Sequence, residues 1–149
     1  MEKHIPEILK PISMMEPQTT NGTPDSEELD LKNAHNAYIV VHLAKGSSEA
    51  TELTIEESED GSGHDTVENN VRIWANEDVS DDDDLERQDD AKTYTVTGDD
   101  KDKLIVFQVD PRAISGDNNE VRVNVSGGGD GSDYISVVGY VAHRYQNSD

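Results

Sequence analysis

Five histidines and no cysteine set the first limit on the chemistry this chain can do. Without thiols it has no disulfide, no cysteine nucleophile and no thiolate zinc or iron–sulfur site. His4, His35, His42, His64 and His143 form neither a His-x-His pair nor a His-Glu-x-x-His helix signature. His42 lies inside the apolar run Tyr38 to Leu43, where an enclosed structural imidazole is expected. His64 belongs to Asp60-Gly61-Ser62-Gly63-His64-Asp65, which reads as an acidic, solvated turn. No Gly-x-Ser-x-Gly sequence offers a serine on a strained turn. Carboxylates are so abundant that no pair stands out as an acid and base for glycoside hydrolysis. The residues therefore point away from an enzyme.

One segment carries metal-binding spacing. Gly128-Gly129-Asp130-Gly131-Ser132-Asp133-Tyr134-Ile135-Ser136 matches a Gly-Gly-x-Gly-x-Asp-x-apolar-x nonapeptide that binds Ca²⁺ when stacked in a β-roll. Each copy supplies only part of the oxygen cage, and here there is one copy. The segment is expected to be a flexible hairpin loop. Asp130 and Asp133, with Asp60 and Asp65 of the earlier acidic turn, are the candidate ligands for a weak Ca²⁺ or Mg²⁺ contact. No other cofactor is expected, and the EF-hand spacing is absent.

Charge narrows the partners. The chain of 149 residues carries 33 Asp plus Glu against 12 Lys plus Arg, a formal net charge of -21. Such a surface repels phosphate backbones and anionic lipid, so neither nucleic acid nor membrane is an expected partner. No apolar run approaches the roughly 20 residues of a membrane helix. The start, Met1-Glu2-Lys3-His4-Ile5-Pro6, lacks the basic-then-apolar layout of a signal peptide. An acid excess of this size, with few lysines, suits a high-salt setting, where the self-repulsion is screened. The acids crowd into Asp78 to Asp90, which is expected to be a solvated excursion between strands.

The elements that must position these residues are strands. Apolar runs occur at 37–43, 53–55, 71–75, 94–96, 104–109, 121–125 and 134–141, separated by Gly, Asp, Asn and Ser. Val121, Val123 and Val125 alternate cleanly with Arg122 and Asn124. Helical periodicity is absent. The expectation is an all-β fold, an antiparallel β-sandwich or jelly roll of about seven to eight strands over residues 31–149. Residues 1–30 read as an extended N-terminal arm punctuated by Pro6, Pro11, Pro17 and Pro24. The arm is either a solvated tail or a docking segment anchored by Ile5, Ile8, Leu9 and Ile12. Arg112, Arg122 and Arg144, rare cations here, either pair internally or meet an acidic partner.

Two stretches carry a resemblance. Leu31-Lys32-Asn33-Ala34-His35-Asn36-Ala37 opens the β region. Val121-Arg122-Val123-Asn124-Val125-Ser126 leads to Val137-Val138-Gly139-Tyr140-Val141-Ala142-His143-Arg144-Tyr145. This layout resembles small head-associated structural proteins, of decoration or cement type, from tailed phages and haloarchaeal tailed viruses. Their last strand ends near a Pro-Arg-Tyr or Pro-Arg-His tail; here the proline is missing. The resemblance implies a non-enzymatic virion protein on the capsid surface, docking on the major capsid protein and on itself, with a homo-trimer as the expected assembly. It adds Arg144 and Tyr145 to Ile5, Ile8, Leu9 and Ile12 as interface residues. Two other functions fit the sequence: a tail, connector or baseplate-associated module, and a calcium-dependent adhesion module.

Overall fold

The computed structural model describes Glu2, residues 4–127 and residues 131–143. A four-residue helix, α1 (Ile5–Ile8), leads into eleven strands: β1 (Leu9–Thr19), β2 (Leu29–Asp30), β3 (Ala34–Ala44), β4 (Thr51–Glu59), β5 (Ser62–Thr66), β6 (Val71–Asn76), β7 (Glu86–Ala91), β8 (Thr93–Val96), β9 (Asp102–Val109), β10 (Glu120–Gly127) and β11 (Tyr134–His143). They form two antiparallel sheets. The six-stranded sheet runs β1-β11-β3-β9-β6-β7. The other runs β2-β10-β4-β5, with β8 beside β5 along the same edge of β4.

Strand periodicity puts alternate residues into the space between the sheets. Ile39 and Val41 of β3, Ile105 and Phe107 of β9, and Val137 of β11 are fully buried from one side. Leu53 and Ile55 of β4 and Val121, Val123 and Val125 of β10 meet them from the other. The all-β, two-sheet expectation holds, and each of the seven apolar runs is a strand. The strand number does not hold: there are eleven among the described residues, because β1, β2, β5 and β7 carry weak signals. Prolines interrupt β1, β2 is two residues long, β5 is Ser-Gly-His-Asp-Thr, and β7 lies inside the acidic block. Asp60 and Gly61, both at positive φ, make the two-residue turn between β4 and β5. That Asp-Gly pair is a hairpin signal that marks β5 where composition does not.

The segment read as an arm is extended, but within one molecule it belongs to the sheets. β1 pairs along β11 from Leu9–Ala142 to Thr19–Tyr134, with Met14 and Met15 buried. The chain then crosses between the sheets. Glu27 N–H donates to the Met14 carbonyl at 2.7 Å, and Ser26 N–H to that of Val123 at 2.9 Å. Gly139 makes this possible, since a Cβ there would lie 2.8 Å from Met14 Sδ and 3.0 Å from a Leu29 methyl.

Candidate interaction surfaces

The residues proposed for metal chemistry are not brought together. Asp133 is fully buried, and its Oδ2 accepts from Lys45 Nζ at 2.5 Å and from Ser47 Oγ at 3.0 Å. Its Oδ1 accepts from the Gly46 N–H at 2.8 Å. Lys45 Nζ also reaches the Glu49 carbonyl and Thr51 Oγ1. Asp133 is thus a structural anion that ties the loop before β11 to the loop after β3, which corrects its reading as a calcium ligand. Asp60 and Asp65 belong to the β4–β5 hairpin. Thr51, beside Lys45, opens β4, and Asp60 follows its far end, roughly 30 Å away at strand rise. Asp130 lies outside the described residues. Among the described residues no cluster of three or more His, Asp or Glu is arranged to hold a metal ion.

The histidines and arginines resolve similarly. His42, expected to be enclosed, is exposed on the outer side of β3. His64 is no free loop residue: its Nε2 lies 2.7 Å from Glu28 Oε1. That hydrogen bond holds the Glu28 carboxyl below its ordinary value. Arg112 pairs internally with Asp110 and Arg122 with Glu56 and Asp25. Arg144 and Tyr145 lie outside the described residues.

Sequence reading missed a second buried cation and a buried acid. Lys103 faces inward on β9, fully buried, and its Nζ pairs with Asp99 at 2.5 Å and Glu77 at 2.9 Å. Glu77 also accepts from the Tyr94 hydroxyl at 2.7 Å, and burial and that carboxylate push the Tyr94 hydroxyl well above its ordinary pKa. At the opposite end of the sandwich, Glu57 accepts from Ser115 and Asn118 side chains and from the backbone N–H of Glu68 and Ser115. Burial raises its pKa, but these donors outweigh burial and leave it lowered. These polar groups serve to hold loops.

What remains are surfaces. Ile5 is 71% exposed and Ile8 44%, adjacent on α1, and two of only four large apolar side chains so exposed among the described residues. Leu9, at the start of β1, adjoins them and is partly exposed, whereas Ile12, on the opposite face of the strand, packs against the core. β1 is an edge strand whose Pro11 and Pro17 lack the N–H that pairing with another strand would need. Side-chain contact rather than strand addition is what this patch offers.

The outer face of the six-stranded sheet is the second surface. Its middle row is Val138, Val40, Val106 and Trp74, paired strand to strand across β11, β3, β9 and β6. Arg87 of β7 caps the Trp74 ring, 5.1 Å from its centroid. The adjoining row is Tyr140, Tyr38, Gln108 and Arg72. No carboxylate occupies an outward position in either row. The outer face of the other sheet differs sharply, with Glu52 and Glu56 on β4 and Glu120 and Arg122 on β10. The signal was in the sequence: the runs at 38–43, 104–109 and 137–141 are apolar without alternation, as in strands covered on both faces, whereas 121–125 alternates.

No family model matches the chain, and no curated protein matches it. Among solved structures it is similar to the SPBc2 prophage-derived protein YomS, with a TM-score of 0.52 and 13% identity over 89% of this chain and 91% of that one. It also aligns, at a TM-score of 0.34 and 9% identity, with a "putative sugar binding protein" from Bacteroides thetaiotaomicron VPI-5482, over 95% of this chain and 86% of that one. The first similarity shows a shared fold.

Proposed function

We propose that this chain is a non-enzymatic structural protein of a virus particle, which decorates the capsid by docking on the lattice of the major capsid protein. The observation that carries this reading is the apolar N-terminal patch, Ile5 at 71% and Ile8 at 44% exposure beside Leu9, on a chain of net charge -21. Exposed apolar groups continuous along one edge mark a protein contact. The fold shared with a prophage-derived protein supports the viral setting. A patch of a few side chains gives weak binding for one copy. A repeating lattice compensates, because many copies engage at once. The buried Lys45–Asp133 pair gives Asp133 a partner other than a cation site, so this reading is preferred to calcium-dependent adhesion.

Particles stripped of this protein and mixed with the purified chain test the proposal. The unmodified chain is expected to co-sediment with them, and an I5D/I8D variant, folded as judged by circular dichroism, to stay in the supernatant. Failure of the unmodified chain to sediment, or equal sedimentation of the variant, would overturn it.

A further inference from the structure

We infer that the outer face of the six-stranded sheet is the surface on which two copies of this chain meet, as a two-fold pair whose affinity rises with salt. The sheet order β1-β11-β3-β9-β6-β7 has its midline between β3 and β9, with three strands on either side. A two-fold axis along that midline, lying between two facing sheets, sets β9 of one copy over β3 of the other and β6 over β11.

The side chains match under that operation. In the middle row, Val106 comes over Val40 and Trp74 over Val138. In the adjoining row, Gln108 comes over Tyr38 and Arg72 over Tyr140. Each row is fixed by the pairings Tyr140–Tyr38–Gln108–Arg72 and Val138–Val40–Val106–Trp74. Val106 thus meets Val40, Trp74 with Arg87 on its ring meets Val138, an amide meets a phenol, and the Arg72 guanidinium meets an aromatic ring, a favourable cation–π pairing. An isologous interface requires this self-complementarity. Sheets pack face to face about 10 Å apart, which leaves room for these side chains to interdigitate.

Charge selects the occupant and sets the salt dependence. Two chains of net charge -21 repel wherever their acidic surfaces approach. The two middle rows of this face are where they can approach without carboxylates between them, with Asp102 and Asp90 at the margins. The four matching strands, about 4.8 Å apart, and three outward rows cover about 400 Å² per copy, so a pair buries about 800 Å². That is below the size of a stable interface and implies a weak, transient pair. Salt screens the long-range repulsion and strengthens apolar burial, so both effects drive association in the same direction. A basic partner on the acidic surface would show the opposite salt response. The pair also replaces the three-fold unit that the resemblance implies with a two-fold one.

Sedimentation velocity on the full chain, from low to molar NaCl, tests this. The expected result is a concentration-dependent monomer–dimer equilibrium whose dissociation constant falls by about tenfold or more over that range. Val106→Glu is expected to leave a monomer at every salt concentration, and Tyr38→Glu to do the same should the first variant fail to fold. Thr95→Glu, on the other sheet, is expected to dimerise as the unmodified chain does. A chain that stays monomeric in molar salt would overturn the inference, as would a folded Val106→Glu that dimerises with unchanged affinity. The measurement needs no particle, so its failure leaves lattice docking standing, and failure of lattice docking leaves the pair standing.

Discussion

Lys45 and Asp133 are 88 residues apart in the chain and 2.5 Å apart in the fold, both without solvent contact. Each is satisfied by partners from loops that no local pattern connects, so their pairing was not legible in the sequence. Removing one partner strands the other as a buried charge. Lys45→Met or Asp133→Ala is expected to cost about 3–5 kcal/mol in urea denaturation, and Lys45→Met with Asp133→Leu together to recover much of it. Two glutamates set opposite pH responses. Glu57 has a lowered pKa in the folded state, so its contribution is complete above the unfolded value of 4.5 and is lost as pH falls through the folded value. Glu57→Gln is therefore expected to lower stability at neutral pH and to flatten its decline in acid. Burial and the neighbouring Glu28, Asp30 and Asp60 raise the Glu120 pKa. Its ionisation opposes folding as pH rises, so Glu120→Gln is expected to raise the urea midpoint at pH 7 and leave it nearly unchanged below pH 4.

At the scale of elements, the strands with β-branched or aromatic runs were legible, and those built from prolines or acids were not. β1 is the instructive case. Pro11 and Pro17 argue against a central strand, and β1 avoids the conflict by lying at an edge, where a missing N–H costs no ladder bond. Its burial comes from Met14 and Met15 rather than from alternation. Deleting residues 1–19 is therefore expected to destabilise the whole sandwich, by about 3–6 kcal/mol for the two methionines alone. The deletion is a poor test of lattice docking, whereas surface changes at Ile5 and Ile8 spare the core. Gly139→Ala tests the same packing from the other side. Its Cβ would crowd Met14 and Leu29, and a loss of about 1–3 kcal/mol is expected by thermal or urea denaturation.

For the whole molecule, the net charge of -21 is distributed with a purpose that composition conceals. The acids occupy the loops, the β7 edge and one sheet face, and Asp102 stands at one end of β9, while the two middle outward rows of β3, β6, β9 and β11 have none. The sequence signalled this as unalternated apolar runs, although which sheet they share depends on strand order, which periodicity does not specify. The result is a body that repels most neighbours and offers two apolar contacts, one at the N-terminal turn and one on a sheet. That arrangement is what the proposed lattice-covering role requires. Quantitative mass spectrometry of purified particles measures this most directly. Copies in the hundreds, in fixed ratio to the major capsid protein, are the predicted result; absence from the particle, or a dozen copies or fewer, would contradict it.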